Sequence, residues 1–332
     1  MDRSARRLRT GAIVFIAAAF ATACSSTGSS ANPPKSGTTT SVTIGGSGVA
    51  AQSMVAYLNS DENVWQKYGI HETNTVVESA SVLGELESGK VQFVILSSGQ
   101  PEAGALQGIP LKWLAVWSPR PDFQLIADSS VKTLSDLKGK KIGIAGPAAT
   151  STDLTNKLLQ TSGLSPSDVH EISLGSTGAA SDAFLAGSID AFPAAPPVTQ
   201  EVLAKSPGAH VLYDWGTSTT PFIFTGLAAY MPWVEAHKAA TENVLRALQE
   251  GISLYKAEPA KAESVIVDVT KVDPATAAIA YKASLGDMTT LQPPTTEEES
   301  LVLTLLAPTI SKAKTANPSS LIDPSYLEAV GG

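Results

Sequence analysis

Apolar and polar positions along this chain alternate between two periods. Short buried-strand runs give way repeatedly to segments whose apolar residues recur every three or four positions. Ser41-Val42-Thr43-Ile44 reads as a strand that stops at Gly45-Gly46-Ser47-Gly48, and a helix follows with Val49, Met54, Val55 and Leu58 on one stripe. Thr75-Val76-Val77 is a short strand. Ala80 to Ser88 is a helix closed by Gly89, and Val91 to Leu96 is a continuous apolar strand. A helix opens over Ala103 to Leu106, and Leu111 to Val116 forms the next strand. Strand, helix, strand in this order predicts a mostly parallel α/β sheet.

The pattern then restarts. A helical turn at 133–140 precedes a strand at Lys141 to Ala145, a loop from Gly146 to Thr150 and a helix ending near Gly163. A strand near Val169 to Leu174, a helix from Ala179 to Ala186 and a strand from Ser188 to Phe192 complete the second round. In both rounds a helix ends at a glycine, Gly89 or Gly187, and runs straight into a buried strand. That repeat predicts two lobes of similar build. From Thr225 onward four helical segments, 236–255, 260–269, 274–283 and 297–315, form a tail able to pack back on the first lobe.

The N-terminus obeys neither period. Arg3, Arg6, Arg7 and Arg9 precede an apolar stretch from Gly11 to Phe20 and then Ala21-Thr22-Ala23-Cys24. A charged start, a short apolar core and small residues at a cleavage site predict a signal peptide over 1–23. The apolar stretch is shorter than the ~20 residues that cross a bilayer. Cys24 sits where cleavage would leave it as the new N-terminus. This arrangement resembles a bacterial lipobox, with Ala21 in place of the usual leucine, and implies a lipid on Cys24. Residues 25–40, SSTGSSANPPKSGTTT, have too little apolar surface to bury and read as a flexible tether. The predicted location is therefore the outer face of the cell membrane.

Composition narrows the class. Cys24 is the only cysteine, so stability comes from a core and not from disulfides. The whole chain carries a net charge of −8, and losing an arginine-rich leader makes the rest more acidic. Such a surface excludes a nucleic-acid partner. His71, His170, His210 and His237 are scattered, and neither a catalytic pair nor a metal set emerges from the spacing. The reading is a monomer that is not an enzyme and uses no cofactor or metal.

Four hydroxyl-rich loops follow predicted strands, where ligands of parallel sheets bind. They are Gly45-Gly46-Ser47-Gly48, Ser97-Ser98-Gly99, Thr150-Ser151-Thr152-Asp153 and Ser176-Thr177-Gly178. Each is equally a helix cap taken alone. As a set they nominate Ser47, Gly48, Ser97, Ser98, Thr150, Ser151, Thr152 and Thr177 as ligand-binding. Trp117, at the end of a strand, is a stacking candidate and equally a core residue. Trp215, Thr217-Ser218-Thr219-Thr220 and Arg120 are weaker candidates.

Several segments together resemble a known family: Trp65-Gln66-Lys67-Tyr68-Gly69-Ile70, Leu86 to Phe93, Leu134-Ser135-Asp136-Leu137-Lys138-Gly139-Lys140-Lys141-Ile142-Gly143, and Gly187 to Ala191 with Pro196-Pro197. Their order and spacing are similar to those of substrate-binding proteins for aliphatic sulfonates, taurine, nitrate and pyrimidine precursors. The resemblance implies a type II periplasmic-binding-protein fold, two α/β lobes joined by a two-stranded hinge. Lobe 1 would be 41–125 plus 223–332 and lobe 2 126–222, with crossings near Gln124–Ala127 and Pro221–Phe224. It also implies capture of a small polar or anionic organic molecule between the lobes and delivery to the permease of an ABC importer. Two departures leave the ligand class open: Gln92 stands where the family often has Asp, and Pro196-Pro197 lacks the preceding Asp of the sulfonate branch. An enzyme resembling a pyrimidine-precursor synthase, and a sensor subunit of a membrane receptor, are the alternatives.

Overall fold

The computed structural model describes residues 39–46, 50–77, 81–146, 149–217 and 221–331. The leader, Cys24, the tether up to Thr38, Ser47, Gly48 and Ser218 to Thr220 lie outside the described residues.

Ten strands form two five-stranded sheets. They are β1 (Thr40–Gly46), β2 (Ile70–Val76), β3 (Phe93–Leu96), β4 (Leu111–Ser118), β5 (Gln124–Ala127), β6 (Lys141–Ile144), β7 (His170–Ser173), β8 (Ala191–Ala194), β9 (His210–Asp214) and β10 (Thr225–Tyr230). The first sheet has the order β2-β1-β3-β10-β4 and the second β7-β6-β8-β5-β9. The two orders are the same pattern. Three parallel strands are followed by an antiparallel fourth, and that fourth strand is the one that has just crossed from the other lobe.

The chain crosses at residues 119–123, ahead of the expected Gln124–Ala127, because Pro119 and Pro121 have no N–H to continue the β4 ladder. It returns through Pro221 to Phe224. The crossings hold each other: Phe222 N–H donates to Pro119 O and Phe224 N–H to Ser118 O, both at 2.9 Å. This is a two-stranded hinge.

Two strands differ from expectation. The second runs over Ile70–Val76, not Thr75–Val77, since an edge strand with polar side chains outward lacks an apolar run. The strand expected at Ser188 begins at Ala191, because Ser188 N–H still bonds Ala183 O at the end of the preceding helix.

The first core packs Val42, Ile44 and Phe93 against Val244, Leu248, Ile252, Val265 and Ile266 of the C-terminal helices Lys238–Ala257 and Pro259–Thr270. The helix Thr296–Leu306 departs from this plan. Its Val302, Leu303 and Leu306 pack with Leu154, Leu158 and Leu159 of the second lobe, and with Ala105 and Leu106 of the helix Gln100–Gln107. The tail thus covers the first lobe and then straps across to the second.

Candidate functional site

Parallel strands β3, β6 and β8 end facing one another, and a cavity of about 90 Å³ lies between their carboxyl ends. Ser97 and Leu96 come from the end of β3, Ala145 from the end of β6 and Ala195 from the end of β8. Thr150 and Ser151 open the helix Thr150–Thr161, and Thr177 opens the helix Thr177–Leu185. From the hinge, Phe123 and Phe224 supply an aromatic wall, their rings edge to face at 4.9 Å. Ala50 and Ser53 complete the first-lobe side. No described lining residue is charged. The cavity combines hydroxyl groups with small apolar surfaces.

The lobes touch directly across it. Ser97 Oγ lies 2.9 Å from Thr150 Oγ1 and donates to it. Nearby, Ala51 N–H reaches Pro196 O at 3.4 Å.

Local geometry separates lining the cavity from capping at the described hydroxyls. The helix Thr150–Thr161 starts after Ala149, which has no side chain to cap it. Thr150 accepts from Ser97, and Thr152 Oγ1 donates to Gly146 O at 3.0 Å. No side chain caps this helix start, which lies at the cavity, where the helix dipole favours an electronegative ligand group. At the helix Thr177–Leu185 the cap is Ser176, which accepts from Ala179 N–H at 3.2 Å. Thr177 itself faces the cavity.

Two of the nominated residues lie away from the cavity. Ser98 is buried away from the cavity and both its N–H and its hydroxyl donate to Ile223 O, tying the loop to the returning hinge. Trp117 is fully buried in the first core, and its indole N–H donates to Gln52 O at 3.0 Å. It packs in the core and does not line the cavity. Thr152 adjoins the cavity without lining it. Trp215 is buried against Tyr213, and Arg120 pairs with Asp287 at 3.0 Å. Gln92 bridges backbone, accepting from Thr43 N–H and donating to Gly89 O.

Sequence reasoning passed over Ala195, Phe123 and Phe224. Ala195 occupies in the second lobe the strand-end position that Ser97 holds in the first, so the internal repeat was the available signal. The phenylalanines lie on the crossings, which the family resemblance already located approximately. Beneath the hinge, Asp122 accepts from Gln52 Nε2 at 2.9 Å, and burial, reinforced by Asp287 and Asp214, pushes its carboxyl up to about 7. No composition signal marked it. Among the described residues, no three His, Cys, Asp or Glu side chains are grouped to hold a metal ion.

A family model described as NMT1/THI5 like matches residues 69–262. A Brucella abortus (strain 2308) protein named as a binding protein is 25% identical over 230 residues, covering 67% of this chain and 69% of its own length. The periplasmic aliphatic sulphonate binding protein SsuA from Escherichia coli superposes with a TM-score of 0.71 at 21% identity, covering 85% of this chain and 97% of that one. The periplasmic nitrate-binding protein NrtA from Synechocystis PCC 6803 gives 0.75 at 12% identity, covering 90% and 89%.

Proposed function

The chain belongs to the NMT1/THI5 like family, and from that premise we propose that it is an exported solute-binding protein serving an ABC importer. The observation that carries this reading is a cavity to which both lobes and the hinge contribute, bridged by Ser97 and Thr150. A small polar or anionic organic molecule would set its polar group on the hydroxyls and on the uncapped start of the helix Thr150–Thr161, with its apolar part against Phe123 and Phe224. A ligand that touches both lobes stabilises the closed form by its differential affinity for it. The lining offers hydrogen bonds and shape but no nucleophile–base pair among the described residues, which favours capture and release over conversion.

The remaining parts of the reading are a leader over 1–23, a lipid on Cys24 and a tether to residue 40, ahead of the two lobes. They would hold the protein, read as a monomer, at the outer face of the cell membrane, where it meets the permease. A thermal-shift panel of an alkanesulfonate, taurine, nitrate and a substituted pyrimidine tests the binding role. A ligand at a hundred times its dissociation constant adds ~2.7 kcal/mol. The shift should vanish in Ala195→Trp, which fills the cavity. A shift that survives this substitution places binding elsewhere, and no shift with any of the four rejects these ligand classes.

A further inference from the structure

Three buried carboxyls lie on helices that converge where the two lobes and the strap helix Thr296–Leu306 pack together. Glu102, on the first-lobe helix Gln100–Gln107, is 1% exposed and accepts from Gly99 N–H at 2.6 Å and from the Trp113 indole N–H at 2.7 Å. Glu299, on the strap, is 0% exposed, and neither of its oxygens has a donor from any other group. The group within hydrogen-bonding reach of it is the Glu102 carboxyl. Two carboxylates cannot bond each other without a proton between them. Glu102 already receives two donors, so the proton belongs on Glu299 and points to Glu102. Asp153 comes from the other lobe, in the first turn of the helix Thr150–Thr161 and next to cavity residues. It is buried as well.

No cation offsets this charge. Glu102 feels Glu299 and no basic group, although β4 and the helix Val82–Glu87 beside it carry Lys112, Glu85 and Glu87. Lys112 faces Asp323 instead. The strap adds Glu297 and Glu298. Lys157 beside Asp153 is exposed, as are Lys312 and Lys314 in the turn packed on the strap, and Lys312 Nζ donates to Leu106 O. The segment Pro166–Asp168 beside Asp153's helix carries Asp168, which pairs with Lys138, and β8 carries nothing ionisable. On the β7 side stands Glu171. Burial, then Glu102, then Glu171 push Asp153 up to about 7, and burial with Glu102 pushes Glu299 well above the usual carboxylate range.

We infer that Glu102, Glu299 and Asp153 are a proton-operated clasp on the cavity: protonated, they let the lobes and the strap close around it, and ionised, they repel and loosen the closed form. The inference deepens the proposed function, since it regulates access to that same cavity. Its sign follows from linkage. Carboxyls that hold protons more tightly when closed favour closure at low pH, and the closed form loses that advantage as pH rises from about 4 through about 7.

The test needs no ligand, so its outcome is independent of whether any panel compound binds. Small-angle scattering and melting curves on the purified protein at pH 5 and pH 8 should show a larger radius of gyration at pH 8 and a melting temperature lower by at least about 3 °C. Glu299→Gln keeps a donor toward Glu102 without a charge, and Asp153→Asn removes the cross-lobe charge. Each should halve both differences or better, while Glu297→Gln, on the exposed side of the strap, changes neither. Slopes in both variants that match wild type overturn the clasp. So does a wild-type radius of gyration that is the same at both pH values, which would confine these carboxyls to stability.

Discussion

Ser97 and Thr150 are 53 residues apart in sequence, stand in different lobes, and share a hydrogen bond of 2.9 Å across the cavity. Their neighbours Ser98 and Thr152 are just as polar but point the other way, into backbone contacts at Ile223 and Gly146. Hydroxyl-rich strand ends in this fold therefore divide into residues that line the cavity and residues that hold the loop.

Ser97→Ala should weaken ligand binding while leaving the ligand-free melting temperature nearly unchanged, and Ser98→Ala should do the reverse. A hydrogen bond contributes ~0.5–1.5 kcal/mol net, and the Ser98 bond is buried while the Ser97 bond is set at the cavity wall. Calorimetry beside melting curves on the two variants checks the split; an equal loss of affinity in both contradicts it.

Asp122→Asn should stabilise the protein at pH 8 and leave it little changed at pH 4. The carboxyl is raised by burial, so the wild-type contribution is intact below about 4 and is lost as pH rises through about 7. Asparagine still accepts from Gln52 but carries no charge. The whole shift, from 3.8 to about 7, sets an upper bound of about 4 kcal/mol on the gain. Denaturant unfolding at both pH values measures it.

Gly251→Ala should destabilise by about 2 kcal/mol or more. A methyl group there would sit 2.0 Å from Asn59 Oδ1, inside the contact where the helix Lys238–Ala257 crosses the helix Val55–Asp61. Asn59 is held by its own bond to Ala247 O at 2.8 Å and has little room to withdraw. An unchanged melting temperature would show that the helices separate freely at this point.

Cys24→Ser should release the protein from the membrane fraction into the soluble one. The expectation rests on the arginine-rich start, the apolar stretch to Phe20 and the polar tether. Cell fractionation with immunodetection checks it, and a variant retained with membranes as fully as wild type removes Cys24 as the anchor.

The parts of the fold readable from sequence were those where one element faces one environment. β3 is an apolar run because both of its faces are covered, β6 is covered from Ile142 onward, and the glycines at 89 and 187 mark helix ends with φ of 73° and 70°. β2 was misplaced because an edge strand exposes half its side chains. In the site, Ser97 and Thr150 were readable from their strand-end and helix-start positions. Trp117 was not, since a tryptophan at a strand end faces core or cleft according to which helix covers it, and here Gln52's turn covers it. Glu102, Asp153 and Glu299 look in sequence like ordinary first-turn acids, favourable at any exposed helix start. Only the packing of three helices from distant parts of the chain buries them.

The exchange of β5 and β10 between the lobes also sets an order of assembly. β10 lies between β3 and β4, inside the first sheet, so that sheet has a gap until residue 230 has been made. Every strand of the second sheet lies between residues 124 and 214, so it can form as soon as that stretch is available. The sheet that begins later in the chain can therefore be completed earlier, and the N-terminal sheet closes last. A chain emerging from its N-terminus stays without its first sheet until more than two thirds of it is available, an order that agrees with the export proposed above.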